Sequence, residues 1–439
     1  MKVLKFGGST LGSVAKIKQV AALIQKENKN IIVISAFEGM TNALIEIVDC
    51  LYRKDPDGAN EIISRLEKKY SELISKLYAI QEYKSLAEEL LEKHFSDIRS
   101  FTKVLFTMFE EKAILAQGEL FSSSLIHLLL KEQHVNATLI PALDFMRTDK
   151  NSEPDPVYIK DRLHKQLDMY PDADIYITQG YICRNAYGEI DNLERGGSDF
   201  TASLIGAAVH ADEIQIWTDS DGMQNSDPRY VMHTSTIRHL QFEEAAELAY
   251  FGARILHPTC ILPAKMNNIP VHLLNTMHPD APGTTISNPM EKGKIKAVAA
   301  KDGITAIKIK SGRMFLAHGF LRKVFEIFEY YQTSIDMVVT SEVAVSVTID
   351  QTQHLTEILN DLKKYGTVSI DQNMTIICVV GDLDWDNLGF ESKAVQALQN
   401  VKVRMISYGG SNYNISFLVQ TEDKQRALQA LSDNLFTLL

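Results

Sequence analysis

From Glu194 to Arg229 the chain reads ERGGSDFTASLIGAAVHADEIQIWTDSDGMQNSDPR. A glycine-rich turn carrying an arginine, a serine and an aspartate runs into a helix-like segment. An apolar strand follows and ends in a loop rich in aspartate. That order of parts builds an anion site at a helix N-terminus beside a loop of nucleotide size. It also commits this part of the chain to an α/β arrangement, because strand and helix alternate through it.

The same alternation recurs elsewhere. Val3–Phe6 reads as a short buried strand ending at Gly7-Gly8-Ser9-Thr10. Ile31–Ser35 reads as a second, ending before Gly39-Met40-Thr41-Asn42. Further strands are expected at Ala137–Ile140, Asp174–Thr178, Ile214–Thr218 and Pro270–Leu274, with helical patterns between them. Such a run predicts a mainly parallel sheet covered by helices. From about 50 to 110 the character changes: charges become dense and apolar residues recur at three- and four-residue spacing (Leu66, Tyr70, Leu73, Leu77, then Leu86, Leu90), which marks a helical excursion. The stretch His278–Lys294, rich in proline, glycine and polar residues, reads as the end of the first domain and a hinge.

Beyond it lies a weak internal repeat. SIDMVVTSEVAVSVTID can be laid on VRMISYGGSNYNISFLV, matching Asp336 to Arg404, and each copy has an upstream strand (Ile304–Ile309, Thr375–Val380), a helical stretch and two strands joined by a polar turn. A unit of that size leaves an open sheet edge, so pairing of the two copies or of two chains is expected. The expected division is a first domain over 1–290, one repeat unit over 300–370 and a second over 371–439.

Composition narrows the partners. A net charge of −11 without a basic block argues against nucleic acid. The four cysteines (Cys50, Cys183, Cys260, Cys378) stand far apart, so neither a zinc site nor a disulfide framework is suggested. No signal-peptide core and no membrane span are evident, which makes the cytoplasm the expected location.

Several motifs carry chemistry. Lys5-Phe6-Gly7-Gly8-Ser9 sits where a strand turns towards a helix; its glycines allow close approach of phosphate and its lysine can neutralise charge on a transferred phosphoryl group. A tight turn with a surface lysine would use the same residues. Glu119 in Gln117-Gly118-Glu119 reads alone as an early helix residue favoured by the dipole. Arg195 matches a carboxylate through its planar fork, with Gly196 and Gly197 opening room and Ser198 and Asp199 placed to cap the following helix. Thr218 and Asp219 lie at the carboxyl end of a strand, where open α/β sheets bind ligands. Asp227-Pro228-Arg229 and Phe251-Gly252-Ala253-Arg254 add cations suited to phosphates, although a common turn and a helix C-cap would look the same. His257 before Pro258 has no assignable carboxylate and is left out of the chemistry.

In order, KFGGS, SAFEGMTN, QGE, ERGGSDFTA, WTDSDG, DPR, ELAYFGARILHP and NIPVHLLNT make the chain similar to the aspartate kinases of the amino-acid kinase superfamily. The C-terminal repeat resembles tandem ACT modules of lysine-sensitive, monofunctional members. The resemblance implies an αβα sandwich with a mainly parallel sheet followed by two ferredoxin-like βαββαβ modules. It implies the reaction ATP plus L-aspartate to ADP plus 4-phospho-L-aspartate, at the entry to lysine, threonine and methionine synthesis.

Residue by residue, the resemblance gives Lys5, Gly8 and Asp199 catalytic roles and gives Ser35, Thr41, Glu119, Arg195 and Ser198 to aspartate. ATP would take Lys5, Phe6, Gly7, Gly8, Thr218, Asp219, Gln224, Arg229, Arg254 and Ile255. A regulatory amino acid, lysine more than threonine, would take Met314, Gly319, Phe320, Leu321, Ser334, Asp336, Ser341 and Glu342. Asp336 and Glu342 could meet its ammonium groups, or could be surface acids at strand ends. Magnesium would bridge the ATP phosphates without an all-protein cage, and the modules would assemble a homodimer or homotetramer. Relatives often carry lysine where Arg254 stands and tyrosine where Gln224 stands; the first keeps the charge with a new geometry, the second removes a stacking surface. Two other readings stay open: a glutamate 5-kinase-like enzyme of the superfamily, and a non-catalytic amino-acid sensor.

Overall fold

The computed structural model describes residues 1–26, 29–193, 196–252, 258–312 and 318–436. Two compact units form, one from Met1–Met223 with Leu256–Asn288, the other from Gln224–Ile255 with Pro289–Leu439. The boundary between the units by contact falls inside the segment expected as the first domain. Residues 224–255 group by contact with the C-terminal segment.

In the first unit six parallel strands run in the order Ala137–Leu139, Ile175–Gln179, Asn30–Ile34, Val3–Phe6, Ile214–Thr218, Val271–Asn275, and Thr284–Ser287 adds an antiparallel seventh. Asn30–Ile34 is buried at every position, as a strand must be when helices cover both faces. Leu4, Phe6, Ile32 and Ile34 join a core cluster with the helices Val14–Ile24, Met40–Tyr52 and Met108–Glu132. The alternate residues point to the other face by the pleat, where Gly197–Val209 packs with Pro156–Asp168 and Pro258–Met266. The stretch read as a hinge over 278–294 contains the strand Thr284–Ser287. Its threonines and isoleucine pair with Val271–Leu273, a gain in ladder bonds that local composition conceals.

The excursion is two helices, Pro56–Leu77 and Gln81–Ser100. Asp55 caps the first by accepting the Gly58 N–H at 2.9 Å, with Pro56 at its first position. Ala59, Ile63, Leu66, Tyr70, Ile74 and Leu77 form its buried stripe. Met108–Glu132 opens with a capping box between Thr107 and Glu110. By length and composition it could cross a membrane, yet 78% of its apolar window is buried within the fold. It serves here as a core helix.

The second unit holds one antiparallel six-stranded sheet in the order Val338–Ser341, Ala344–Ile349, Ile295–Lys310, Thr367–Gly381, Asn414–Gln420, Val403–Ser407. The two long central strands serve two modules. Register shifts around Lys301, Ile304 and Ala306 divide their halves, and each half lies over its own core, one around Ile307, Phe328 and Val347, the other around Val298, Ile377 and Phe417. The second module, expected wholly within 371–439, takes its outer strand from Ile295–Lys301, upstream of the first. A strand pattern records that a ladder forms but not which distant segment completes it.

Candidate active site

The loops at the carboxyl ends of the parallel strands converge, as expected for an open α/β sheet. Gly7-Gly8 follow Val3–Phe6, residues from Ser35 to Gly39 follow Asn30–Ile34, and Gly180-Tyr181 follow Ile175–Gln179. A side chain on Gly8 would stand 2.9 Å from the Ala36 carbonyl oxygen, so only glycine lets these two loops meet. Thr10 donates its hydroxyl to the Gly7 carbonyl at 2.6 Å and holds the turn.

The helix Gly197–Val209 begins with Gly196 in the left-handed region (φ 74°), and no side chain caps it. Ser198 and Asp199, expected as caps, sit in its first turn. Asp199 instead meets Lys5 from the adjacent strand, Nζ to Oδ1 2.6 Å, with both side chains only 12% exposed. A β-carbon on Gly180 would lie 2.9 Å from the Ser198 Cα; the glycine allows this helix start to press against the strand end. Tyr181, itself at φ 67°, donates its N–H to the Thr201 hydroxyl at 3.0 Å and locks the same junction.

Glu119 is not an early helix residue. It lies midway along Met108–Glu132 and is 4% exposed. One carboxylate oxygen accepts the Ala36 N–H at 3.2 Å and the other has no hydrogen-bond partner. Burial pushes its pKa up to about 8, against the smaller opposing effect of the Ala36 bond. A buried carboxylate with a spare oxygen is a receptor for a cation.

A cavity of about 1050 Å³ gathers these groups: Lys5, Gly8, Ser35, Thr41, Glu119, Ser198 and Asp199 all line it. Sequence reasoning missed four of its other walls. Lys112 and Asp191 form an ion pair at 3.1 Å, and Thr148 and Asn192 are buried in the lining. Lys112 sits in a helix, Asp191 and Asn192 in a short strand and Thr148 in an isolated bridge, and no local motif distinguishes any of them. Phe6 is fully buried and stacks on Trp217 at 6.0 Å between centroids, which leaves only its main chain for a ligand. Thr218 ends its strand, donating its hydroxyl to Asp219 Oδ1 at 3.2 Å. Among the described residues no group of three or more His, Cys, Asp or Glu gathers as a metal cluster.

Residues 1–275 match the amino acid kinase family model and 377–435 an ACT domain model. The lysine-sensitive aspartokinase 3 of Escherichia coli is 31% identical over 458 residues, covering 99% of both chains. Aspartokinase 1 of Arabidopsis thaliana, a chloroplastic protein, is 33% identical over 99% of this chain and 80% of its own length. The chain belongs to the aspartokinase family. It is accordingly a phosphotransferase with a carboxyl group as acceptor, an α/β amino acid kinase fold followed by an ACT-type region. Two crystal structures of E. coli aspartokinase III, both 30% identical over the full length of each chain, resemble it with TM-scores of 0.86 (complex with aspartate and ADP, R-state) and 0.78 (complex with lysine and aspartate, T-state). Aspartate kinase of Clostridium acetobutylicum gives 0.83 at 26% identity, over 99% and 100% of the two chains.

Other residues with expected ligand contacts belong to the second unit. Gln224 donates to the Thr236 hydroxyl at 3.0 Å, and Arg229 is clamped by Asp227, Nη2 to Oδ2 2.6 Å. Gly319 (φ 82°) starts the helix Phe320–Tyr330, whose Phe320 is buried and Leu321 exposed. Ser341 ends an edge strand and Glu342 stands in the exposed turn after it. Ser334 lies on the loop after that helix. Asp336 is not a surface acid: its side chain is 1% exposed, pairs with Lys301 at 2.7 Å, and accepts the Tyr250 hydroxyl at 2.7 Å. Lys301 also reaches Asp350 at 3.0 Å and sits 4.4 Å over the Tyr250 ring. Arg195, Arg254, Ile255 and Met314 lie outside the described residues.

Proposed function

We propose that the cavity around Lys5 and Glu119 binds L-aspartate and accepts the γ-phosphoryl group of ATP onto its side-chain carboxylate, yielding ADP and 4-phospho-L-aspartate. The carrying observation is that a phosphate-neutralising lysine and a buried carboxylate with a spare oxygen face one cavity. The acceptor is ionised at neutral pH and needs no general base, so catalysis rests on positioning and charge stabilisation. Lys5, held by Asp199, stabilises the transferring group beside the Gly7-Gly8 main chain. Glu119 takes the substrate ammonium, Arg195 its α-carboxylate, and Ser35, Thr41 and Ser198 line the acceptor end. Thr218, Asp219, Gln224, Arg229, Arg254 and Ile255 are assigned to the nucleotide. Magnesium, when bound, would supply charge neutralisation on the phosphates. With Asp199 paired to Lys5, it would be held largely by phosphate oxygens and water.

In the same reading lysine is the feedback effector, acting in the first ACT module at Met314, Gly319, Phe320, Leu321, Ser334, Asp336, Ser341 and Glu342. The modules join chains into a homodimer or homotetramer in the cytoplasm. An effector inhibits only by binding the inactive arrangement more tightly. The test traps the acyl phosphate with hydroxylamine, offering aspartate or glutamate while titrating lysine and threonine. Aspartyl hydroxamate suppressed by lysine is expected; none from folded protein would sink the reading.

A further inference from the structure

Asn192 ends the short strand Ile190–Asn192, opposite Ile182 in a two-stranded hairpin. Its backbone N–H is donated to Asp191 Oδ1 at 2.8 Å, and Asp191 is held by Lys112. The residue is 7% exposed and both side-chain amide atoms are buried. Yet neither its Nδ2 nor its Oδ1 has a hydrogen-bond partner, and the residue lines the same cavity as Glu119. Thr148, 3% exposed and lining that cavity, likewise leaves its hydroxyl unpartnered. Buried amides without partners are rare and costly in native proteins. Asn192 carries two such atoms at one position, one donor and one acceptor.

We propose that Asn192 is a substrate-positioning and specificity-determining residue, whose amide bridges the two charges of the α-amino acid head group. This rests on reading the cavity as the aspartate site. An ammonium offers only donors and a carboxylate only acceptors; an amide meets one with Oδ1 and the other with Nδ2, and adds no net charge. That neutrality matters in a cavity shared with Glu119, whose spare oxygen already supplies the counter-charge for the ammonium. The residue thereby selects substrates that carry both groups on one carbon. A site built to hydrogen-bond a substrate rejects analogues that leave its polar groups unpaired.

The experiment compares wild type with Asn192→Leu and Asn192→Ala, measuring KM for L-aspartate and for ATP, and the melting temperature of ligand-free protein. The expected result is an aspartate KM raised by about 10- to 100-fold, the loss of hydrogen bonds to charged groups, with the ATP KM unchanged. Melting temperature should hold or rise, because an unsatisfied amide has been replaced by apolar atoms. An unchanged aspartate KM in active variants would overturn the proposal. So would equal increases in both KM values with a lowered melting temperature, which would mark a structural role. Wild type that forms no aspartyl hydroxamate would instead sink the underlying assignment of the cavity.

Discussion

Lys5 Nζ and Asp199 Oδ1 stand 2.6 Å apart, one from the first strand of the parallel sheet and the other from the first turn of a helix nearly two hundred residues later. The pair holds the lysine ammonium in the cavity wall, and Asp199 stands inside the first turn of its helix, past the N-cap position that Gly196 occupies. Replacing Lys5 by methionine removes the cation and should lower kcat by about 100- to 1000-fold, measured at saturating ATP and aspartate. A smaller loss than tenfold would place charge stabilisation elsewhere. Asp199→Asn should reduce kcat less and shift the folding free energy by about 1–3 kcal/mol, read by urea denaturation.

The Glu119 carboxyl is the second prediction. Its folded pKa lies near 8, above the ordinary value of 4.5, because it is buried. The folded protein therefore holds a proton that the unfolded chain has released between these values. The associated stability is complete below about pH 4.5, falls as pH rises, and is lost above about pH 8. Binding an ammonium requires the ionised form, so the aspartate KM should fall as pH rises from 6 to 9. Glu119→Gln should weaken aspartate binding, flatten that dependence and stabilise the protein at pH 9. A wild-type aspartate KM that does not change with pH would rule the linkage out.

At Gly180 a methyl group would meet the Ser198 Cβ at 2.5 Å. Gly180→Ala must push back the start of the helix Gly197–Val209 and with it Asp199. We expect a loss of about 1–3 kcal/mol in stability, the usual scale of overpacking, together with a fall in kcat/KM for aspartate. Denaturant melts and steady-state kinetics on one preparation would separate the two effects.

Tyr250 donates to Asp336, which is also held by Lys301. If Asp336 meets a lysine effector, the Tyr250 hydroxyl competes for it. Tyr250→Phe should lower the half-inhibitory lysine concentration by about three- to tenfold, the range for a hydrogen bond to a charged group, with kcat unchanged. A rise in that concentration would show that Tyr250 supports the effector site instead.

The strands were legible from sequence because apolar runs ending in small residues admit few alternatives. Val3–Phe6 and Ile214–Thr218 have the expected bounds and the other parallel strands differ by one residue at their ends, whereas Ile304–Ile309 and Thr375–Val380 are only parts of the longer strands Ile295–Lys310 and Thr367–Gly381. Thr284–Ser287 was hidden by its glycine- and proline-rich flanks. Glu119 looked like an early helix residue because the capping box that starts its helix lies a dozen residues upstream, at Thr107 and Glu110.

By itself the sequence determined which segments become strands, where glycines leave room for phosphate, and which ionisable residues stand near strand ends. Those are local properties, written in side-chain periodicity and backbone freedom. Only the tertiary structure decided which of them meet. It set Asp199 against Lys5, left the Asn192 amide buried without a partner, grouped 224–255 with the second unit and lent Ile295–Lys301 to the second module. Each of these depends on packing between segments distant in the chain, and periodicity along one segment carries no record of the surface it will meet.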